Sequence, residues 1–327
     1  LSSNVPSLRA PFAVRQVGGG RSNLTYAITD AAGTAAILRR PRGGSSLKGS
    51  HDLGREHAIL RAAHRAGQRV PEPLAFCADE GVIGAPFYLM AAVDGVVADS
   101  PAAAAALGPA ARARTAAALA ETLAELHAVD VRAAPFPEFS SGERYPDRQV
   151  ERWQRQWHRA RTRDLAAIDR LGARLAASIP AQREVALVHG DFTLFNVVLD
   201  PAGEVRAVLD WEMATIGDPI ADLAWCSMWW PDSEAESAPG AEPVPLLPGF
   251  PRRERLITAY AAATGRDLGS LAWWRALSYW KLAIILEGIL KSWEEDPANG
   301  GKDPGRLGPG VLKAIRLGEE AADEARI

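Results

Sequence analysis

One stretch constrains this chain more than any other: Leu187-Val188-His189-Gly190-Asp191-Phe192-Thr193-Leu194-Phe195-Asn196, then residues 197–200, a Pro201-Ala202-Gly203 turn, and residues 205–210 ending at Asp210. Turn residues between two apolar runs predict a loop leading into a hairpin. The turn folds the second strand back along the first, so Asp210 returns close to Asn196, with Asp191 on the loop beside them. A carboxylate and an amide oxygen converging there, with room for water and phosphate oxygens, suit magnesium bound to a nucleotide. Asp191 is placed to accept a proton from an incoming hydroxyl.

The rest of the chain sorts around that stretch. At roughly 150 residues per domain, 327 residues make about two units. Short strands are expected at 14–17, 24–29 and 35–39, a helix at 51–67 closed by Pro71 and Pro73, and strands at 73–77 and 87–93. This forms a five-strand, one-helix unit. After Asp94-Gly95 the composition turns to alanine, and 101–127 reads as a long helix, since alanine and leucine lead the propensity scale. A second helix is expected over 147–175, strand character over 184–210, and helices from Asp218 onward, interrupted by long loops at 231–251 and 296–310. The fold class expected is α+β, with an N-terminal unit over 1–93 and a mainly helical one over 94–327.

Composition excludes several classes. Lys plus Arg is 37 against Asp plus Glu 40, a net charge of -3, so there is no basic field for a nucleic acid or an anionic membrane. The longest apolar runs are shorter than the ~18–20 residues that span a bilayer. Cys77 and Cys226 are too few and too distant for a disulfide framework. Leu1-Ser2-Ser3-Asn4 opens without Met and without a basic start followed by an apolar run, so no export signal is expected. A cytoplasmic location fits.

His-Gly-Asp, four residues, Asn, and a hairpin ending in Asp resemble the catalytic loop and metal motif of the aminoglycoside phosphotransferase family, itself similar in fold to the protein kinases. The resemblance covers nearly the whole chain. It implies a two-lobed kinase-like fold, ATP and Mg2+ as cofactors, Asp191 as catalytic base, and Asn196 and Asp210 as metal ligands. Gly18-Gly19-Gly20-Arg21-Ser22-Asn23 sits between two strands where glycines permit close backbone approach, so Gly19, Gly20, Ser22 and Asn23 become phosphate-cradle candidates. Arg39 occupies the place of the usual phosphate-binding lysine, with Glu56 as its helix partner. Arginine binds phosphate bidentately and can replace the lysine. Arg40 is the fallback if the register is off by one, and a surface arginine on an edge strand is the plain alternative. Met90, Ala91 and Val93 fall on the strand and hinge that would meet adenine. In the same arrangement His189 braces the loop. Asp218 reads as a helix N-cap and Asp222 as a buried brace to the loop.

The branch most like this chain resembles the kinase-like domains fused to acyl-CoA dehydrogenases, with arginine at that position and a motif like Gly-Gly-x-Ser-Asn-Leu-Thr-Tyr. Family members phosphorylate aminoglycosides, choline, fructosamines, homoserine and methylthioribose, so the resemblance implies a hydroxylated small molecule as partner without choosing one. A hydroxyacyl-type acceptor is conceivable in this branch. Glu287, Glu294, Glu295 and Asp296 read as a solvated helix end, and without a continuous acidic strip drug resistance is not expected to be the main role. Some of the late tryptophans are candidates for walling an acceptor pocket. The competing class is a nucleotide-binding pseudokinase, favoured by Arg39 and opposed by the intact Asp191, Asn196 and Asp210 set. A hydrolase built on His189 and Asp191 with a metal is a third possibility.

Overall fold

The computed structural model describes residues 5, 8–17, 23–33, 35–41, 53–132, 136, 142–295 and 304–327. Gly19, Gly20 and Ser22 lie outside them, so Asn23 alone of the phosphate-cradle candidates is described. The N-terminal strands are β1 (Ala13–Val17), β2 (Asn23–Thr29), β3 (Ala35–Pro41), β4 (Pro73–Cys77) and β5 (Phe87–Ala91). They form one antiparallel sheet in the order β1-β2-β3-β5-β4. Strand alternation gives the sheet two faces. Ile28, Leu38, Phe87 and Leu89 build an apolar cluster on one. Tyr88 and Met90, on the other, join the main core with Leu53, Ile59 and Leu60 of α1 (Leu53–Arg65).

β5 stops at Ala91, two residues short of the expected Val93. The Ala91 amide donates to Glu72 O at 2.8 Å and the Ala92 amide to Ala35 O at 3.2 Å, after which the chain leaves the sheet. It crosses to the helical part, where Val96 and Leu199 exchange backbone hydrogen bonds at 2.8 Å.

The helices are α2 (Pro101–Ala104), α3 (Pro109–His127), α4 (Tyr145–Ala160), α5 (Ala166–Ala177), α6 (Ile220–Met228), α7 (Arg253–Thr264), α8 (Leu271–Glu295) and α9 (Pro304–Glu324). Between them lie four short strands, β6 (Ala186–Val188), β7 (Val197–Leu199), β8 (Val205–Val208) and β9 (Thr215–Gly217), paired β6 with β9 and β7 with β8. α8 is the central post, packing against α4, α5, α6 and α9. Its tryptophans do much of the filling: Trp274 and Trp280 are buried, and Trp280 donates its indole N–H to Ile168 O at 3.0 Å.

Three expected elements need correcting. The 101–127 helix is two helices, because Pro109 disfavours helical backbone at Gly108 and restarts the chain at a first helical position. The 147–175 helix breaks after Ala160, where Arg161 is extended (φ -61°, ψ 129°), and α5 begins only at Ala166. The 296–310 loop is shorter than expected, since Pro304 opens α9. The loop at 231–251 is present and tied down. Arg253 is buried behind it, its Nε donating to Ser227 O at 3.0 Å and Trp230 O at 2.9 Å while a guanidinium nitrogen reaches Glu236 at 2.7 Å. Among the described residues no helix is long and apolar enough to cross a membrane.

Candidate functional site

β7 and β8 pair as the turn residues predict. Val197 stands opposite Val208, and the Leu209 amide donates to Asn196 O at 2.8 Å. Asp210 follows with φ +64°, a left-handed conformation that aspartate tolerates better than most residues. Asn196 donates Nδ2–H to both the backbone oxygen (2.9 Å) and Oδ2 (2.8 Å) of Asp191. The amide nitrogen is therefore committed, and Oδ1 is the atom of Asn196 that can ligate a metal. Asp191, Asn196 and Asp210 thus sit together at the hairpin mouth.

The loop is held from below. Asp222, buried on α6, accepts the His189 amide at 2.6 Å and the Gly190 amide at 2.8 Å, the brace its place in the sequence suggests. Asp218 Oδ1 accepts the Ile220 amide at 2.9 Å from two residues ahead of α6, with Pro219 rather than Asp218 at the cap position. Gly190 has φ +82°, and a Cβ there would lie 2.8 Å from Met213 O, so both conformation and space demand glycine. The His189 ring spans the loop: Nε2–H donates to Leu209 O at 2.9 Å and Nδ1 accepts the Asp191 amide at 3.2 Å. With both nitrogens engaged and the ring edge-on to Trp211, His189 is a brace, which removes the ligand needed for the hydrolase alternative.

The Asp191 carboxyl holds its proton more tightly than a free aspartate does. Burial is the largest influence and pushes the carboxyl up, opposed by the nearby Lys281 ammonium and by the Trp225 indole, which donates to Oδ1 at 2.7 Å. Lys281, half-buried on α8, lies 3.8 Å from the Trp225 ring centroid and 3.4 Å from Gly190 O. These two were not singled out individually in the sequence. The available signal was Lys281 itself, the one charged residue between Arg275 and Glu287 in an otherwise aromatic and aliphatic run.

On the sheet, register decides between the two arginines. Arg39 is paired with Tyr88 across β3 and β5, on the face toward α1, whereas Arg40 turns away and donates to Ile83 O at 2.9 Å. β3 is the middle strand and Arg39 is buried, which overturns the edge-strand alternative. Its guanidinium contacts Glu56 Oε1 at 2.8 Å and Asp210 Oδ1 at 3.2 Å. Tyr88 also donates its hydroxyl to Glu56 Oε1 at 2.8 Å, and Asn23 its amide to Oε2 at 3.5 Å. Burial outweighs the pull of Arg39 and leaves the Glu56 carboxyl above its ordinary value, while burial also keeps Tyr88 protonated.

The donor set fits a nucleotide and its metal. Arg39 Nε is buried without a hydrogen-bond partner among the described residues, an N–H suited to a phosphate oxygen. No group of three or more His, Cys, Asp or Glu side chains among them could hold a metal alone. A site of Asn196 and Asp210 is instead the open, oxygen-only kind that magnesium completes with phosphate and water. At the expected hinge, Met90 is buried in the core, the Ala91 amide is committed to Glu72 O, and Val93 lies half-buried just beyond the end of β5. Glu287 is not part of a solvated acidic end: it is buried two turns inside α8, accepting from Thr162 Oγ1 at 2.7 Å and Arg163 at 3.1 Å.

Between α4, the loop and α8 lies a cavity of about 490 Å³ that has Gly190 in its wall. Arg55, Arg148, Arg152, Arg155 and Lys281 line it, with Glu212 as the one carboxylate in its wall.

Known proteins resemble this chain in sequence and in fold. Chicken acyl-CoA dehydrogenase family member 11 is 37% identical over 290 residues, covering 85% of this chain and 36% of that protein. Mouse acyl-CoA dehydrogenase family member 10 is 34% identical over 285 residues, covering 86% and 26%. The chain therefore spans about a third or less of the length of these relatives. A Ralstonia eutropha structure provisionally named an aminoglycoside phosphotransferase superposes with a TM-score of 0.80 at 28% identity, covering 98% of this chain and 95% of that one. Choline kinase from Cryptosporidium parvum shares the fold (TM-score 0.66, 98% and 94% covered) at 11% identity. The model of the phosphotransferase enzyme family, APH, matches residues 13–274, and the chain belongs to that family, with the kinase-like fold of a small antiparallel sheet lobe and a larger helical lobe.

Proposed function

We propose that this protein transfers the γ-phosphoryl group of ATP to a hydroxyl of a small molecule, with residues 1–93 as the nucleotide lobe and 94–327 carrying the catalytic loop and acceptor site. The observation that carries the reading is the convergence of Asp191, Asn196 and Asp210 at one hairpin mouth, with Arg39 reaching Asp210 from the sheet. Asp191 orients the acceptor hydroxyl and takes its proton, and burial, by raising its basicity, suits it to that task. Arg39 presents a fixed guanidinium to the phosphates, held by Glu56. Asn196 and Asp210 would hold Mg2+, which when bound neutralises charge on the transferring phosphoryl group. A family neighbour of 15% identity, an amicoumacin kinase, was solved with AMP-PNP and Ca2+, consistent with a nucleotide and a divalent metal in this fold.

The bound hydroxyl oxygen attacks Pγ, the bond to the β,γ-bridging oxygen breaks, its electron pair leaves with ADP, and the hydroxyl proton passes to the Asp191 carboxylate. Asp191→Asn is the direct test. General-base loss predicts a fall in kcat of about 10²- to 10⁴-fold with ATP affinity retained. Full transfer by the variant sinks the base assignment.

A further inference from the structure

The cavity beside Gly190 has a chemistry that the phosphotransferase reading leaves unused. Five of its wall residues are cationic and one is a carboxylate. Arg155 is answered by Glu151 at 4.0 Å. Arg152 and Lys281 form no ion pair with any described residue: Arg152 lies 5.7 Å over the Trp153 ring, and Lys281 sits between the rings of Trp225 (3.8 Å) and Trp153 (5.6 Å).

A lysine in this position is unfavourable for stability alone. Burial pushes it down to about 8; the pull of Asp191 offsets only part of that, and Arg152 adds like-charge repulsion against the smaller pull of Asp222. A leucine or methionine would fill the same apolar stretch of α8 without that penalty. Two indole faces hold the ammonium as a cation, one of them, Trp225, also holding Asp191. The cation therefore borders both the cavity and the reacting carboxylate.

We propose, resting on the phosphotransferase reading, that the acceptor carries an anionic group, carboxylate or phosphate, seated in this cavity against Lys281 and Arg152 while its hydroxyl lies at Asp191. The cationic wall then sets specificity in two ways. It attracts an anionic tail, and it repels the polycationic acceptors handled by other members of the fold. Arg152 supplies a planar fork for the anion and Lys281 a point charge nearer the reacting centre.

Two measurements on the intact chain test this. First, Lys281 is titrated with a neutral amine-acylating reagent and its labelling followed by mass spectrometry, with Lys291 and Lys313 as internal controls on the same molecule. Glycerol 3-phosphate and 6-hydroxyhexanoate are added as anions; glycerol, 6-hydroxyhexanamide and kanamycin are the uncharged and cationic counterparts. The inference predicts at least about fivefold slower labelling of Lys281 with one or both anions and no protection from the counterparts. Which anion protects separates a phosphate-bearing acceptor from a carboxylate-bearing one. Second, ADP release is compared across the same pairs in wild type, Lys281→Met and Arg152→Gln. The expected result is a preference for the charged member that collapses in both variants through KM more than kcat. Protection by neither anion, or better turnover of the uncharged or cationic members, overturns the inference. Protection without ADP release from any acceptor would leave the anion site standing and count against phosphoryl transfer instead.

Discussion

Asp222→Asn isolates how the catalytic loop is held. The carboxylate takes two backbone amides, from His189 at 2.6 Å and Gly190 at 2.8 Å, and faces His127 Nε2 at 3.4 Å. Asparagine is nearly isosteric but keeps one acceptor oxygen, so its own N–H₂ must face one of the donors. Losing one charge-assisted bond removes about 1.5–3 kcal/mol, and the buried N–H left without a partner adds about 1–3 kcal/mol, giving a combined loss of roughly 3–5 kcal/mol. Against a typical total of about 5–15 kcal/mol that is a large fraction. With an m-value near ~3 kcal/mol/M in urea, the unfolding midpoint should fall by about 1 M or more. The pH dependence supplies an internal check. Burial alone would raise the Asp222 carboxyl, but the hydrogen bond and charge of His127, then His189 and the Gly190 amide, bring it below its ordinary 3.8. A lowered folded value means that the contribution is present above pH ~4 and lost as pH falls through the folded value. The gap between wild type and variant should therefore narrow in acid. A midpoint change below about 0.2 M at pH 7, or a gap that widens in acid, would refute the reasoning.

Other perturbations probe the remaining parts. Arg39→Met strands the buried Glu56 carboxyl and should destabilise by about 3–5 kcal/mol in the same urea assay, with Arg39→Lys recovering part of that and of the ATP affinity. Gly190→Ala meets a left-handed backbone and Met213 O, so kcat should drop more than tenfold while calorimetric nucleotide binding changes little. Lys281 faces Asp191 from the loop, Arg152 from α4 and Asp222 from α6; with burial pushing it down to about 8, KM for an anionic acceptor should be flat below pH 7 and rise as pH passes 8. Its contribution to stability runs the other way. The unfolded lysine keeps its proton to about 10.5, so stability from this group rises with pH between about 8 and 10.5, and Lys281→Met should raise Tm at pH 7.

What could be read from the sequence was what is local in it. Asp191, Asn196 and Asp210 are brought together by a single hairpin, and turn chemistry plus apolar runs suffice to predict a hairpin. Arg39 and Glu56 followed from the family resemblance, laid over one strand and the helix after it; choosing Arg39 over Arg40 needed the observed pairing of Arg39 with Tyr88. Trp225 and Lys281 sit 34 and 90 residues beyond Asp191, and only the packing of α6 against α8 places them at its carboxylate. Glu287 was grouped with its acidic neighbours because helix ends are hard to place; with α8 running to Glu295 it falls inside the helix, where Thr162 and Arg163 satisfy it. The long alanine-rich helix was divided by Gly108-Pro109, a boundary that propensity summed over a window smooths away.

The most direct measurement of the central claim is calorimetric ATP binding with and without Mg2+, in wild type and Asp210→Asn, followed in the same samples by ADP release with a panel of hydroxylated acceptors. The account predicts magnesium-dependent binding in wild type, its loss or marked weakening in Asp210→Asn, and acceptor-stimulated ADP release by wild type alone. ATP binding indifferent to magnesium and to Asp210, or no ATP binding at all, would contradict it.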